Sequence, residues 1–360
     1  MKVAVCVCGT TTKSTLRQNG SARDNGIQVN TGDTFDVTQT FSHSDGFMEF
    51  YTKDKAFVPG NGITKFRFPT QTFSLNNIPH DRDDGSLVVG VLSTAHRPHD
   101  RTKIRKSWAS GYSNVFFLVS GNWTGQLEDE FREHKDMIYI DSPENYRMIT
   151  AKVMVFFTAV NKYLPNAVIL KTDDDSYVRM PEMERIVRLH HAEQLYRGRG
   201  CRPDAEVVRN RSSPWYVSRK VYPEKYYPPY AYGGGYLLSA SLNRCVVKQM
   251  KMRTNETEVF PIEDTYVAIL LQNCPRVKCK SDHRFETFSH HPIPPKYHKD
   301  ILTRSIIHQV KSYETMMMMH EVACCDVRNR RFPRESINCD SVVCPAEYDE
   351  ILHISEQGGA

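Results

Sequence analysis

What the 360-residue chain lacks narrows its possible functions. No apolar run approaches the roughly 20 residues a helix needs to cross a bilayer, so no membrane span is expected within it. The opening Val3-Ala4-Val5-Cys6-Val7-Cys8 is short even for the apolar centre of a signal peptide. No segment repeats, which removes solenoids and propellers. Neither sign of charge dominates: 47 Lys and Arg stand among 42 Asp and Glu, for a net charge of +5. The one dense basic cluster, Arg197-Gly198-Arg199-Gly200-Cys201-Arg202, does not amount to a nucleic-acid surface and suits a small anionic ligand. No Cys-x-x-Cys pair occurs, so the ten cysteines do not spell out a zinc site. They point to disulfides and an oxidising compartment, as do sequons at Asn19, Asn122, Asn210 and Asn255. Gly233-Gly234-Gly235 is no phosphate loop, because no Lys-Ser/Thr follows it.

What is present is an ordinary globular composition, 40% apolar and 25% charged, in a chain long enough to bury a sizeable core. Three regions are expected. Residues 1–83 are rich in Thr, Asn, Gly and Asp, with alternating pieces such as Gly46-Phe47-Met48-Glu49-Phe50-Tyr51, and read as irregular and partly β. Residues 84–319 alternate strands and helices. Residues 320–360 form a polar tail that carries Cys324, Cys325, Cys339 and Cys344. In the middle region, Leu87–Leu92, Val115–Val119 and Met137–Ile140 are apolar strand-length runs, and Asp100–Ala109 has helical character. Ile149, Val153, Phe156, Val160 and Leu164 recur at helical spacing. Pro181 opens a helix, Glu263–Leu271 makes another, and Ile306-Ile307-His308-Gln309-Val310 is a late strand. Strands alternating with helices imply an α/β fold with a mostly parallel sheet flanked by helices. The aromatic, Pro- and Gly-rich residues 215–236 read as a rigid loop. Met316–Met319 read as core filler at a helix end, and the connectivity of Cys201, Cys245, Cys274, Cys279 and the tail cysteines stays open between several pairings, such as Cys201 with Cys245 and Cys274 with Cys279.

The chemistry centres on Lys171-Thr172-Asp173-Asp174-Asp175-Ser176-Tyr177-Val178, which follows the apolar run Ala167-Val168-Ile169-Leu170. Asp disfavours strand pairing, so the acids are expected on the turn past the strand's C-terminal end, the edge where α/β sheets bind ligands. Adjacent carboxylates repel, and a cation relieves them; oxygen donors suit Mg²⁺ or Mn²⁺, which share coordination with phosphates. A solvated acidic turn is the plainer alternative.

Several stretches, standing in a family's own order, together resemble the inverting, metal-dependent β-1,3-glycosyltransferases, which include β-1,3-galactosyltransferases, β-1,3-N-acetylglucosaminyltransferases and Fringe-like enzymes. They are Arg101-Thr-Lys-Ile104-Arg105-Lys-Ser-Trp108; Asp141-Ser-Pro-Glu-Asn145-Tyr146 with Thr150 and Lys152; Lys171 to Val178; Tyr227-Pro-Pro-Tyr230 through Gly233-Gly-Gly-Tyr236-Leu-Leu-Ser239; and Pro261-Ile-Glu263-Asp264-Thr-Tyr-Val. The resemblance covers about residues 87 to 319. It departs at Ala231-Tyr232, where relatives carry Cys-Ser, so a disulfide common in the family is absent or rerouted. The family's N-terminal membrane anchor has no counterpart either.

The resemblance implies a nucleotide-diphospho-sugar transferase (GT-A type) fold with an irregular N-terminal region, Mn²⁺ or Mg²⁺, a UDP-sugar donor such as UDP-galactose or UDP-N-acetylglucosamine, a glycan or glycoprotein acceptor, and residence in the Golgi lumen or membrane. It makes Asp264 the general base, with Asp175, Asp173 and His308 holding the metal and Asp173 and Asp174 orienting the nucleotide. On the residues alone, Asp264 reads as a helix-start acid, and His308 beside Ile306 and Ile307 as a core histidine. Arg101 and Arg105 stand four apart on a helix near the donor edge and suit uracil or phosphate, or else a structural pair. Lys171, Gly234 and Gly235 complete the expected donor-binding set, the glycines through close backbone approach. The alternative function is a relative of the same fold that binds glycan or nucleotide-sugar without catalysis.

Overall fold

The computed structural model describes residues 37–42, 47–52, 64–69, 86–140, 144–146, 149–190, 194–253, 260–286 and 298–326. Asp141 of the family-like block, Cys339, Cys344 and the sequons at Asn19 and Asn255 lie outside them. The first three described pieces are strands, β1 (Val37–Ser42), β2 (Phe47–Thr52) and β3 (Thr64–Pro69).

Every side chain of β4 (Leu87–Leu92) and β5 (Val115–Ser120) is buried, which is what an apolar run demands when both faces of a strand are covered. With β6 (Met137–Ile140) and β7 (Val168–Asp173) they form a parallel block in the order β6-β5-β4-β7. Parallel neighbours need crossovers. The connections are α1 (Pro98–Arg105), α2 (Gly125–His134) and α3 (Ile149–Tyr163). The strand order runs outward from β4 in one direction and then resumes at β7 on its other side. The gap between the C-terminal ends of β4 and β7 is therefore a topological switch point, where open α/β sheets bind ligands.

Side-chain alternation divides the core. Val88, Leu92, Phe116, Leu118 and Ile169 face α3, α5 (Ala240–Met252) and α6 (Glu263–Leu271). Leu87, Val89, Val91, Val115, Phe117, Val168 and Leu170 face α1, α2, α4 (Met180–His190), α7 (His298–Thr303) and α8 (Tyr313–Asp326). A Cβ at Gly90 would come within 2.4 Å of the Phe156 ring, so this glycine lets α3 lie directly on β4.

Outside β7 lie β10 (Ala231–Leu238), antiparallel, then β9 (Tyr196–Gly200) and β11 (Cys279–Ser281). At the other edge, β3 pairs with β6 and continues through β2 to β1. Residues 1–83 thus contribute strands to the same ten-stranded sheet as the region that follows, and the sheet is mixed, with its parallel pairs concentrated at the centre. A small sheet of β12 (Phe285–Glu286), β13 (Ile306–Ile307) and β8 (Tyr177–Val178) covers the turn after β7.

Three sequence readings change. Residues 231–238 form a strand and not a loop, because Gly235 to Leu238 pair with Thr172 to Ile169 of β7. Cys201 is bonded to Cys279 and Cys245 to Cys274, not Cys201 to Cys245 or Cys274 to Cys279. The first joins the end of β9 to β11, which lie side by side, and the second joins α5 to the end of α6, which pack together; neither adjacency is visible in sequence spacing. Met316–Met319 fall in the first half of α8, where Met316 and Met319 are fully buried.

Candidate active site

The acidic turn forms where β7 stops. Asp173 is its last residue, the Asp174 N–H donates to the Leu92 carbonyl at 3.0 Å, and the Ser176 N–H returns to the Asp173 carbonyl at 3.1 Å. Trp108, buried against the core, donates its indole N–H to the Ser176 carbonyl at 2.9 Å and so pins the turn from α1's side.

His308 arrives from a distant part of the chain through strand pairing. Ile306 and Ile307 of β13 pair with Val178 and Tyr177 of β8, so the residue after β13 emerges at the turn before β8. Gln309 adopts φ 66°, a left-handed conformation uncommon for a residue with a side chain, and the next residue, Val310, donates its N–H to the Asp175 carbonyl at 2.6 Å. His308 Nε2 then lies 3.3 Å from Asp173 Oδ2 and 3.1 Å from Asp175 Oδ1. One ligand atom from each of the three lies within 4.8 Å of the others. Burial disfavours the charged imidazole, but hydrogen bonds and the fields of Asp173 and Asp175 outweigh it and lift His308 to about 10. Two carboxylates around a proton that a cation can replace is a donor set that fits a divalent ion.

Asp174 points away from this trio. It accepts from Ser93 Oγ at 2.9 Å and from Arg97 at 2.8 Å, at the switch point. Burial pushes its carboxyl up to about 6 against the opposing Arg97 guanidinium. Asp173, by contrast, is drawn down to about 2: burial acts upward, and Lys171 and His308 overcome it.

On the other side, α6 starts with Glu263 and Asp264. Asp264 accepts the Gly233 N–H at 2.9 Å and its neighbour Thr265 N–H at 2.8 Å. Burial and the Glu263 charge push it up to about 7 despite Lys171 and these two donors. Glu263 is buried, held by the Tyr236 hydroxyl at 2.5 Å and by Lys171 at 3.3 Å. Lys171 also donates to Asp173 at 2.8 Å and to the Gly233 carbonyl at 2.5 Å.

The structure therefore brings Asp173, Asp175, His308, Lys171 and Asp264 into one site. Arg101 and Arg105 are not positioned for a ligand. Arg101 is fully buried, its guanidinium forked onto Glu130 at 2.7 and 2.5 Å with further bonds to Ser93 and the Thr94 carbonyl. Arg105 forks onto Asp136, reaches Glu130 and stacks on Phe117. Both clamp α1 to the α2 region, since a planar guanidinium matches a carboxylate edge-on. Gly234 and Gly235 are pressed against protein: added Cβ atoms would meet the His308 ring at 2.8 Å and Ile306 at 2.6 Å. The Gly234 carbonyl accepts from Thr172 and Ser176. Their smallness seats the small sheet on β10 and leaves no backbone approach for a donor.

Sequence reasoning missed Arg97 and Ser93, which hold Asp174, and left Glu144 and Lys152 without a role. Lys152 donates to the Ser93 carbonyl at 2.9 Å and to Glu144 at 2.8 Å, bracing the end of β4. Ser93 directly follows the apolar run of β4, which is the position at which a switch-point ligand group is expected and the signal that could have found it. Tyr146 of the family-like block is exposed and lies in the fields of Asp264, Lys171 and Asp173.

A family model described as galactosyltransferase matches residues 99–282, which span α1 to β11 and contain the acidic turn, the glycine strand and Asp264. The chain belongs to the galactosyltransferase family. Among curated relatives, β-1,3-galactosyltransferase GALT1 of Arabidopsis thaliana is 30% identical over 197 residues, covering 51% of this chain and 30% of that protein. β-1,3-Galactosyltransferase 4 of Mus musculus is 29% identical over 221 residues, 51% and 58% respectively. β-1,3-Galactosyltransferase 1 of Mus musculus is 28% identical over 253 residues, 65% and 75%. The match thus spans between under a third and three quarters of these relatives' lengths. A solved structure of the galactosyltransferase LgtC with donor and acceptor sugar analogs superposes at a TM-score of 0.35, with 13% identity over 68% of this chain and 99% of that one. Among the described residues, no helix of this family member is long and apolar enough to cross a membrane.

Proposed function

We propose that the chain is an inverting β-1,3-glycosyltransferase that moves galactose or N-acetylglucosamine from a UDP-sugar to a glycan or glycoprotein hydroxyl. The observation that carries this reading is the closeness of Asp264 to the trio of Asp173, Asp175 and His308: Lys171 meets Asp173 on one side and the Gly233 carbonyl on the other, and the Gly233 N–H holds Asp264. In the reaction an acceptor hydroxyl gives its proton to Asp264 as its oxygen attacks the anomeric carbon. The bond from that carbon to the diphosphate oxygen breaks, and UDP departs from the opposite face. Each Asp264 oxygen accepts one backbone N–H and keeps a lone pair for the incoming proton. A base near pH 7 is ionised enough to act and basic enough to hold the proton.

Asp173, Asp175 and His308 are the residues that would hold Mn²⁺ or Mg²⁺, the mixed oxygen and nitrogen set favouring Mn²⁺. Such an ion supplies Lewis-acid stabilisation of the charge developing on the leaving diphosphate. Asp174, held by Ser93 and Arg97 at the switch point, would orient the nucleotide. The disulfides suit an oxidising lumen such as the Golgi's.

The test is UDP release from UDP-galactose and UDP-N-acetylglucosamine, with and without Mn²⁺ and with galactoside and glucosaminide acceptors. Metal-dependent release in the wild type, abolished in Asp264→Asn, is expected. Binding of UDP-sugar with no turnover on any acceptor would leave the non-catalytic relative as the better description.

A further inference from the structure

We infer that Lys171 is a positioning residue that couples the two halves of the site, fixing Asp264 against the leaving-group acids and sharing one positive charge between them. The inference rests on the function proposed above. Lys171 lies on β7 two residues before Asp173, so strand alternation puts both side chains on one face. It is 1% exposed. Its ammonium has three donors. They are directed at Asp173 Oδ1 (2.8 Å), the Gly233 carbonyl (2.5 Å) and Glu263 Oε2 (3.3 Å), on β7, β10 and α6. An ammonium enclosed on three sides has no donor left for a phosphate, so Lys171 leaves the donor-contacting set. It becomes the tie between the strand that carries the acids and the helix that carries the base. The Gly233 it holds through the carbonyl is the same residue whose N–H holds Asp264.

This placement has two opposite effects. Beside Asp173, the Lys171 charge competes with a cation at the trio. Beside Glu263 and Asp264, it favours their ionised forms. The groups facing Asp264 are Glu263 and the Thr265 N–H from α6, the Gly233 N–H from β10, Lys171 from β7, and the phenols of Tyr146, Tyr196, Tyr227, Tyr230 and Tyr236. Burial raises all five phenols above their usual range, so they stay neutral near pH 7 and Lys171 supplies the positive charge.

Lys171→Met keeps the side chain's length and removes the charge. Calorimetry with Mn²⁺ alone on the purified chain is expected to show binding tightened severalfold. The transfer rate at pH 7 is expected to fall at least ~10-fold, and the acid limb of kcat/KM to move up by about one pH unit or more. A merely structural lysine predicts the reverse for the metal, since a loosened site binds Mn²⁺ more weakly. Lys171→Arg keeps the charge, and its limb should stay near that of the wild type, with Mn²⁺ binding retained and transfer reduced because a guanidinium cannot reproduce the three-way contact. Should Lys171→Met not fold, Lys171→Arg carries the test, and unaltered transfer in it overturns the inference. Wild-type Mn²⁺ affinity and an unshifted limb in Lys171→Met overturn it too. A wild type with neither Mn²⁺ binding nor UDP release defeats the functional reading and this inference together; a wild type with both, matched by Lys171→Met, defeats this inference alone.

Discussion

The acidic turn after β7 and the acidic start of α6 carry the same functional group and face the same space, yet their carboxylates differ in charge state. Asp173 is surrounded by Lys171 and His308 and is held near 2. Asp264 is half-buried beside a like-charged neighbour, shares the cation Lys171, and rises to about 7. One side can stay anionic to hold a cation, and the other can take a proton at neutral pH. Environments that push paired carboxylates apart assign an acid and a base without any change of residue type. The strand register on one side and the helix start on the other fix which carboxylate is which.

The comparison can be broken most sharply at Asp264, the proposed base. Asp264→Asn is expected to lower the transfer rate by about 10³-fold, measured by UDP release, while leaving Mn²⁺ affinity close to wild type. On the metal side, His308→Ala is expected to weaken Mn²⁺ binding by at least about tenfold in calorimetry, and to lower UDP release with it. Gly234→Ala reaches the same imidazole indirectly: its Cβ at 2.8 Å from the ring must displace His308, so Mn²⁺ binding should weaken and denaturant unfolding should show a loss of about 1–3 kcal/mol.

A subtler contrast lies in pH. With Asp264 at about 7, kcat/KM should rise through neutrality and level off above it. The same raised value costs stability. The unfolded carboxylate ionises near 4 and the folded one near 7, so between them the folded chain holds more protons and this residue's contribution falls as pH rises. Asp264→Asn should therefore melt higher than wild type at pH 8, with the gap closing toward pH 4. The smallest effect on chemistry is expected from Arg101→Met. It should cost about 3 kcal/mol of folding stability by leaving Glu130 short of a partner, with the donor KM within about twofold of wild type.

Much of the scaffold was legible in the chain. β4, β5, β6 and α6 fall where apolar run length and helix-start acids place them, because both signals are local. The acidic stretch, His308 and Asp264 were readable as candidates through motifs in sequence order. What those motifs could not show was which neighbouring residues touch the site. Arg101 and Arg105 have the residue type and helical spacing of anion binders, yet they point at Glu130 and Asp136 from α2 and its following turn. The glycine run has the composition of a loop, yet β7 and the small sheet hold it as a strand.

The sequence by itself therefore determined the alternation of strands and helices, the burial of the central strands and the acids at the end of β7, since hydrophobic period and backbone preference act within a few residues. Tertiary structure alone decided the disulfide partners, the arrival of His308 at the turn through the pairing of β13 with β8, and the place of Lys171 between Asp173 and Glu263. Those outcomes depend on which strands lie side by side and on how far burial strengthens each charge, and neither quantity exists until the sheet has formed.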